Sequence, residues 1–251
     1  MSAGGPVGRR EVAVRCFAAE YDDASLEFSE SDEERAPNYV VTPTGARANR
    51  LFVVGVLTEV EQVSDGVLRA RVVDPTGAFV VYAGQYQPDA KTALERAEPP
   101  AFVAVTGKAR TFEPDDGDRV YTSIRPESVN VVDADTRDRW TVQTADQTLD
   151  RVSTFAAALD REERGNALTE ALLASGVDPA LASGIPRAIA HYGTTEAYLA
   201  AVRELALQAT GVVAGEREEV ESLDLAPGEG GTVEVDLAAG VTIEAAATPT
   251  V

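Results

Sequence analysis

The alternation of apolar and polar residues is clearest at residues 68–86, which read LRARVVDPTGAFVVYAGQY. Side chains of a β-strand point alternately to its two faces, so Leu68, Ala70 and Val72 would share one face. The turn Asp-Pro-Thr-Gly then separates two strands, because proline fixes φ at the second turn position and glycine supplies flexibility after it. This stretch therefore predicts a hairpin with one buried face.

Apolar runs on either side of the hairpin complete a set of five predicted strands. The strands are expected at residues 50–61, 67–73, 78–83, 101–108 and 120–124, with a helix at 88–96. Gly55 within the first strand predicts a bend or a bulge, and Pro126 predicts that the fifth strand ends before it, leaving 129–132 as an edge or a separate short strand. Three strands, a helix and two further strands form the layout of an OB-fold, a five-stranded partly open barrel.

Helical periodicity replaces the alternation in the second half of the chain. Ala-rich segments at 150–158, 167–174 and 178–192 predict helices, and Asp178 followed by Pro179 is typical of an N-cap and a first helical residue. Gly193 is expected to end the third helix, and Thr194 or Thr195 to cap the next one. One apolar face of that last helix is formed by Tyr198, Val202, Leu205 and Ala209.

These patterns predict an α+β fold, with a five-stranded OB-fold β-barrel followed by a small helical domain and an acidic tail. The expected divisions are an acidic N-terminal extension at 1–46, an OB-fold domain at 47–132, a linker at 133–147, a helical domain at 148–214 and an acidic tail at 215–251. Residues 11–19 fit a strand or a short helix, and the acidic run 20–34 fits a solvated face or loop. In the tail, segments 232–237 and 241–245 fit a marginal hairpin or disorder.

Net charge is the most unusual feature of the composition, at −20 with 42 acidic and 22 basic residues. Only two of the basic residues, Lys91 and Lys108, are lysines. Acidic excess with few lysines and much Ala, Val and Gly resembles the cytosolic proteins of halophiles, whose surface carboxylates keep the protein hydrated where salt screens their repulsion. The alternative is an acidic protein from a mesophile.

The charge is unevenly distributed along the chain. Residues 47–132 carry 10 basic and 12 acidic residues, whereas residues 1–46 have a net charge of −5 and residues 133–251 a net charge of −13. The barrel block is therefore nearly neutral inside a strongly acidic chain. This indicates a surface that can approach a polyanion, unless β-rich cores simply contain fewer acids.

The residue types that carry most enzyme chemistry are scarce. Cys16 is the only cysteine and His191 the only histidine, which excludes a disulfide framework and a Cys/His zinc cluster. The dipeptide Gly107-Lys108 lacks the other residues of a phosphate-binding loop. We expect no enzyme activity, no metal or other cofactor and no small-molecule substrate. A signal-peptide pattern and an apolar run of about 18 residues are both absent, which predicts a cytoplasmic protein that does not contact membranes.

Single-strand binding by an OB-fold uses a basic groove for the backbone and aromatic faces for the bases. The barrel block contains both types of residue, with Arg47, Arg50, Arg69, Arg71, Lys108, Arg110, Arg119 and Arg125 beside Phe52, Phe79, Tyr82, Tyr86, Phe112 and Tyr121. Phe79 and Tyr82 have opposite parity on their strand, and we expect Tyr82 to face outward because its hydroxyl favours water. The residues selected as a DNA-binding site are Arg50, Arg69, Arg71, Tyr82, Tyr86, Lys108, Arg110 and Arg119. Each has a structural alternative, since an outward arginine can pair with local carboxylates and Tyr86 can cover the barrel mouth.

Four segments of the chain read SESDEERAPNYVVTPTGAR, NRLFVVGVLTEVE, VVDPTGAFVVYAGQYQP and FVAVTGK. They resemble the haloarchaeal replication protein A (RPA) associated family, and the resemblance is most specific over residues 10–140. It implies an OB-fold protein that participates in single-stranded DNA binding during replication and repair, with an RPA subunit as partner. Large RPA subunits often carry a zinc finger, and this chain departs from that pattern because it has no cysteine cluster.

The sequence therefore predicts an accessory OB-fold subunit of an archaeal RPA complex that binds single-stranded DNA. One alternative is an assembly subunit that docks on an RPA partner without binding DNA. A weaker alternative is an RNA-binding OB-fold protein, which would be distinguished by a preference for the 2′-hydroxyl.

Overall fold

A computed structural model describes residues 11–30, 36–115, 117 and 119–237. In chain order its elements are α1 (Ala18–Asp22), β1 (Leu26–Ser29), β2 (Asn38–Val41), β3 (Arg47–Ala48), β4 (Arg50–Ser64), β5 (Val67–Asp74), β6 (Gly77–Ala83), α2 (Pro88–Arg96), β7 (Ala101–Phe112), β8 (Tyr121–Val131), α3 (Ala134–Leu159), α4 (Gly165–Ala174), α5 (Pro179–Tyr192) and α6 (Glu196–Val213). Strands β1, β2 and β3 form a small antiparallel sheet.

Strands β4 to β8 close into a barrel in the order β4-β5-β6-β8-β7. The first three form a meander, α2 follows β6, and β8 closes the barrel by pairing in parallel with β6 at Val81 and Ile124. This is the topology of an OB-fold, so the predicted α+β fold with a five-stranded barrel is confirmed. Helix α2 also covers the predicted residues 88–96.

Gly55 marks the point at which β4 changes partner. The strand pairs with β7 from Arg50 to Leu57 and with β5 from Val56 onward, so it serves both sides of the closed barrel. A Cβ atom at Gly55 would lie 2.4 Å from the carbonyl oxygen of Val73. Glycine is therefore required for the close approach of β5 at this point, which is where the sequence predicts a bend.

Pro126 does not end the last strand, contrary to the prediction. Strand β8 continues to Val131 because a bulge takes up the proline: Gly107 pairs with Pro126 and Thr106 with Ser128, which leaves Glu127 as the extra residue. A Cβ at Gly107 would lie 2.4 Å from the carbonyl oxygen of Arg125. Strand β7 is likewise longer than predicted and reaches Phe112.

The first part of the acidic run packs against the barrel, which corrects the prediction that the run is solvated. Glu20 is 1% exposed, accepts a hydrogen bond from Thr44 Oγ1 at 2.5 Å and pairs with Arg151 of α3 at 2.6 Å. The turn before β6 also holds α1, the helix that contains Glu20, because Ala18 N–H donates to Asp74 Oδ2 at 2.8 Å. Residues 43–46 and residues 75–78 both read Pro-Thr-Gly-Ala, and both of these turns contact α1. Residues 31–35 lie outside the described residues.

Residues 134–147, expected to be linker, form the first half of the 26-residue helix α3. The helix is anchored to the barrel because Trp140 is buried and its indole N–H donates to the Phe52 carbonyl at 2.9 Å. Farther along the chain, Asp178 caps α5, Gly193 ends it at φ +62°, and Thr195 caps α6. All four residues of the predicted α6 face are buried.

The described part of the tail crosses the start of α6. Thr195 N–H donates to the Pro227 carbonyl, Ala197 N–H to the Gly231 carbonyl and Val233 N–H to Glu196, all at 3.0 Å. Residues 232–237 form no strand, and the second half of the predicted hairpin, 241–245, lies outside the described residues. None of the helices within residues 11–237 is long and apolar enough to span a membrane.

Candidate nucleic-acid interface

A groove of about 1120 Å³ runs between the β4–β5 turn, the β6–α2 turn and the adjoining ends of β7 and β8. Its lining comprises Asp65, Gly66, Val67, Arg69, Val80, Tyr82, Gly84, Gln85, Tyr86, Gln87, Arg110, Thr111, Phe112, Tyr121, Thr122, Ser123 and Arg125. The turns and strands that enclose it correspond to the ligand-binding region of OB-folds.

The groove collects the exposed aromatic side chains of the protein. All fifteen Phe, Tyr and Trp residues of the sequence lie in the described part of the chain, and only four of them are exposed. These four are Tyr82 (38% exposed), Tyr86 (80%), Phe112 (63%) and Tyr121 (51%). All four line the groove. A large apolar ring that is exposed to water does not contribute the stability that a buried ring would. The clustering of four such rings in one groove therefore indicates a surface that binds flat ligands.

Two of the four rings, those of Tyr82 and Tyr86, lie on β6 and in the turn that follows it. Phe79 is 1% exposed in the barrel core and Tyr82 faces out, as the alternation predicts. Tyr86 lies in the turn that leads to α2. That turn is closed because Gln87 N–H donates to the Gly84 carbonyl and Gly84 N–H donates to Gln87 Oε1, both at 3.1 Å. Tyr86 therefore projects from an ordered turn.

The other two rings lie at the open end of the β7–β8 hairpin. Phe112 is paired in register with Tyr121 across the two strands, so their side chains project from the same face. The N-terminal segment fixes this end from within. Tyr21 Oη accepts from Arg110 N–H at 3.1 Å and donates to the Ser123 carbonyl at 2.9 Å, while Glu27 Oε2 accepts from Thr111 N–H at 3.0 Å.

Three arginines line the groove, against a single carboxylate, Asp65. Arg69 pairs with Glu61 at 2.9 Å and with Glu59 at 3.8 Å, so part of its charge is already neutralised. Arg110 and Arg125 form no ion pair with any carboxylate among the described residues. The groove thus has a positive lining in a chain that is strongly negative as a whole.

Two of the sequence-predicted cations lie beside the groove without lining it. Arg119 pairs with Asp22 at 2.5 Å, and its guanidinium lies 5.6 Å from the centre of the Tyr121 ring. Arg71 is exposed on the outer face of β5, two residues beyond Arg69, and lies opposite Val80 of β6. Both arginines are exposed, but neither belongs to the groove lining.

The remaining two predicted cations lie on β4 and β7, outside the groove lining. The side chain of Arg50 is 12% exposed and forms an ion pair with Glu127. Lys108 donates to Asn49 Oδ1 at 3.1 Å. Burial lowers the pKa of Lys108, the charges of Arg110 and Arg50 lower it further, and Glu11 acts in the opposite direction. The structure therefore brings together four of the eight selected residues: Arg69, Tyr82, Tyr86 and Arg110.

Three residues that line the groove, Phe112, Tyr121 and Arg125, do not belong to the predicted DNA-binding site, although the sequence analysis names them among the basic and aromatic residues of the barrel block. Phe112 and Tyr121 lie on either side of an acidic stretch that reads EPDDGDRV, and the predicted strand at 101–108 ends before Phe112, so the sequence does not predict their pairing. Arg125 precedes Pro126, where the strand was expected to end. An aromatic residue on each side of one hairpin loop was the signal that could have identified the pair.

Metal-binding side chains do not gather in the described part of the chain. No three His, Cys, Asp or Glu residues there are placed to hold a metal ion. The only cysteine, Cys16, is fully buried, and burial raises the pKa of its thiol well above the usual value, which keeps it protonated. His191 shares a hydrogen bond of 3.0 Å with Ser25 Oγ. The groove aromatics and arginines are thus the binding chemistry that stands out.

No protein-family model and no curated protein sequence matches this chain. Among solved structures, it is similar to a replication protein A heterotrimer bound to single-stranded DNA (TM-score 0.37, 18% identity, 55% of this chain and 98% of that chain). It is also similar to the Stn1–Ten1 complex of S. pombe (TM-score 0.39, 15% identity, 50% and 82%). A third is the mitochondrial single-stranded DNA binding protein Rim1 of S. cerevisiae (TM-score 0.27, 21% identity, 34% and 92%). The strand order of the barrel, rather than these scores, defines this chain as an OB-fold protein.

Proposed function

We propose that this chain binds single-stranded DNA in the aromatic groove, as an accessory OB-fold subunit of an archaeal RPA complex. The observation that carries the proposal is that every exposed aromatic side chain, Tyr82, Tyr86, Phe112 and Tyr121, lines one groove that also contains three arginines. Stacking on such rings contributes about 1–3 kcal/mol per base and tolerates any base, because every base has a π-face.

Single strands fit this lining better than duplex does. Bases in a duplex are stacked on each other, so their faces are not available to Tyr86 or Phe112, whereas an open strand can place its bases on both. The negative charge of the chain outside the barrel block also repels the dense charge of a duplex. Selectivity for single strands would therefore come from the rings, and the backbone would be held by Arg69, Arg110 and Arg125.

The acidic composition agrees with a protein that works at high salt. At about 1 M salt the screening length falls to about 3 Å, so the release of counterions contributes little to binding. Stacking does not depend on counterion release, and four aromatic rings would retain affinity under those conditions. The role of an RPA subunit as partner, and a place in replication and repair, rest on the family resemblance of residues 10–140.

Fluorescence anisotropy with labelled oligo-dT tests the proposal in buffers up to about 1 M KCl. We expect binding by the wild type and a loss of about 2–6 kcal/mol in the double variant Tyr82→Ala/Phe112→Ala, because two stacking rings are removed. Val131→Ala is the matched control, since Val131 is also an exposed apolar residue, at 67%, but lies outside the groove.

The alternatives give different results in the same assay. Failure of oligo-dT to bind, both to the chain alone and to its complex with an RPA subunit, contradicts the proposal. Co-purification with RPA that survives the double variant, without any DNA binding, identifies an assembly subunit. Tighter binding of oligo-U than of oligo-dU indicates recognition of the 2′-hydroxyl and hence an RNA-binding protein.

A further inference from the structure

Three cations form a row across the outer face of the barrel. Arg50 of β4 is paired in register with Lys108 of β7, and Lys108 is paired with Arg125 of β8. Their chain neighbours Leu51, Ala109 and Ile124 are fully buried in the barrel, so the three cations project outward. Neighbouring strands are about 4.8 Å apart, and the row therefore extends over about 10 Å. We call Arg50, Lys108 and Arg125 the cation row.

The cation row is unfavourable for the free protein. Like charges directly opposite each other on neighbouring strands are destabilising, and here two such pairs are adjacent. Lys108 and Arg125 have no carboxylate ion-pair partner among the described residues. The pKa of Lys108 is lowered first by burial, and the neighbouring charges of Arg110 and Arg50 lower it further. An anion placed over the row would relieve this repulsion.

Glu127 already occupies one end of the cation row. Its carboxylate pairs with Arg50, and it reaches this position because it is the extra residue of the bulge between Gly107 and Ser128. A carboxylate and a phosphate present similar oxygen acceptors to a guanidinium. Glu127 is therefore an internal counterion at a place where an external phosphate would fit.

The cation row is continuous with the groove. Arg125 belongs both to the row and to the groove lining, and Arg110, which also lines the groove, lies on the same face of β7 as Lys108. Cationic side chains thus extend from the groove lining across β8 and β7 to β4.

We propose that the cation row is a second, base-independent subsite that holds the sugar-phosphate backbone where a single strand leaves the aromatic groove, with phosphate replacing Glu127 as the partner of Arg50. This inference rests on the proposed function for the identity of its ligand. It assigns a role to Arg50 and Lys108, which the aromatic groove does not use. It also predicts that a strand long enough to reach Arg50 binds more tightly than one that only fills the groove.

An oligomer without bases separates the cation row from the groove. A phosphodiester chain of abasic sites has the charge of DNA but nothing to stack, so the row can bind it and the aromatic rings cannot. We therefore compare oligo-dT and the abasic oligomer over a range of salt concentrations, using wild type, Lys108→Gln and Tyr82→Ala/Phe112→Ala. Lys91→Gln is the matched control, because Lys91 is the only other lysine and lies on α2 beside Glu95.

Lys108→Gln is expected to weaken the binding of both the abasic oligomer and long oligo-dT. It should also reduce the slope of log K against log salt by about 0.7, which is the value for one lost single-strand phosphate contact. Lys108→Arg should restore both, which shows that charge rather than a folding defect is responsible. Lys91→Gln should match wild type. The aromatic double variant should bind oligo-dT more weakly than wild type and bind the abasic oligomer with unchanged affinity.

The possible failures distinguish the two proposals. If oligo-dT binds, but Lys108→Gln and Lys91→Gln have equal affinities for both probes, the cation row is not a subsite. The proposal that the aromatic groove binds DNA is then unaffected. If the abasic oligomer binds through Lys108 while oligo-dT binds no better, the row stands and the aromatic groove is not a DNA site. If neither probe binds, both proposals are wrong.

Discussion

Phe112 at the end of β7 lies directly opposite Tyr121 at the start of β8, with both rings more than half exposed. Two residues nine positions apart in sequence therefore form one aromatic platform. The guanidinium of Arg119 lies over the Tyr121 ring, 5.6 Å from its centre, and adds a cation to this platform. The groove is thus constructed from strand register as much as from residue type.

The ring of Tyr121, rather than its hydroxyl, is expected to contribute to DNA binding. Tyr121→Phe should therefore bind oligo-dT like wild type, whereas Tyr121→Ala should lose about 1–3 kcal/mol, the contribution of one stacked base. Titration of both variants by anisotropy measures the difference, and thermal unfolding checks that the exposed side chain does not affect stability. Equal loss in both variants would indicate a hydrogen bond from the hydroxyl instead of stacking.

Tyr21 is expected to stabilise the groove from inside the protein. Its hydroxyl accepts from Arg110 N–H and donates to the Ser123 carbonyl, and burial raises the pKa of Tyr21 well above its usual value, which keeps the phenol neutral. Tyr21→Phe leaves these backbone groups without that partner and should cost about 1–3 kcal/mol in the free energy of unfolding. Guanidinium denaturation measures it, with the exposed Tyr82→Phe as control. A change below about 0.5 kcal/mol, typical of surface substitutions, would contradict the bridging role.

The barrel could be predicted from sequence because its signals are local. Alternation predicted the five strands, and Asp178 and Gly193 lie at the two ends of α5 as expected. The predictions that were wrong concern residues whose partners are distant in sequence. Glu20 is buried because Arg151, 131 positions away, neutralises it, and Pro126 stays within its strand because Gly107 accommodates the bulge. Charge and proline content alone cannot reveal such partners.

The groove was predicted in part for the same reason. The sequence showed that the barrel block contains aromatic and basic residues, and strand alternation predicted that Tyr82 faces outward, as it does. Which cations join the groove depends on the register of β7 with β4 and β8: Arg110 lines the groove, whereas Lys108, two residues earlier, does not. Register is determined by packing across the closed barrel, which a single sequence does not display.

Gly55 is expected to be required for barrel closure. A Cβ there would lie 2.4 Å from the Val73 carbonyl oxygen, so Gly55→Ala must displace β5 from β4 and should cost about 1–3 kcal/mol, as overpacking of a core does. The comparison is Gly231→Ala, because a Cβ at Gly231 has no atom within 4 Å. Guanidinium midpoints of the two variants measure the difference. Equal midpoints would mean that β5 can move without cost.

Asp23 is expected to make the protein more stable as the pH falls from 7 to 5. Burial raises its pKa to about 6, above the usual value of about 3.9 for an unfolded chain, so the folded state binds the proton more tightly. The stabilisation is complete below the unfolded pKa and is lost as the pH rises through about 6. Asp74, also raised to about 6 by burial, acts in the same direction, so Asp23→Asn should reduce this pH dependence without abolishing it. Tyr198→Phe removes the hydroxyl that donates to Asp23 at 2.8 Å and should move the transition to higher pH. Denaturation at several pH values tests both, and an unchanged pH dependence in Asp23→Asn would contradict the assignment.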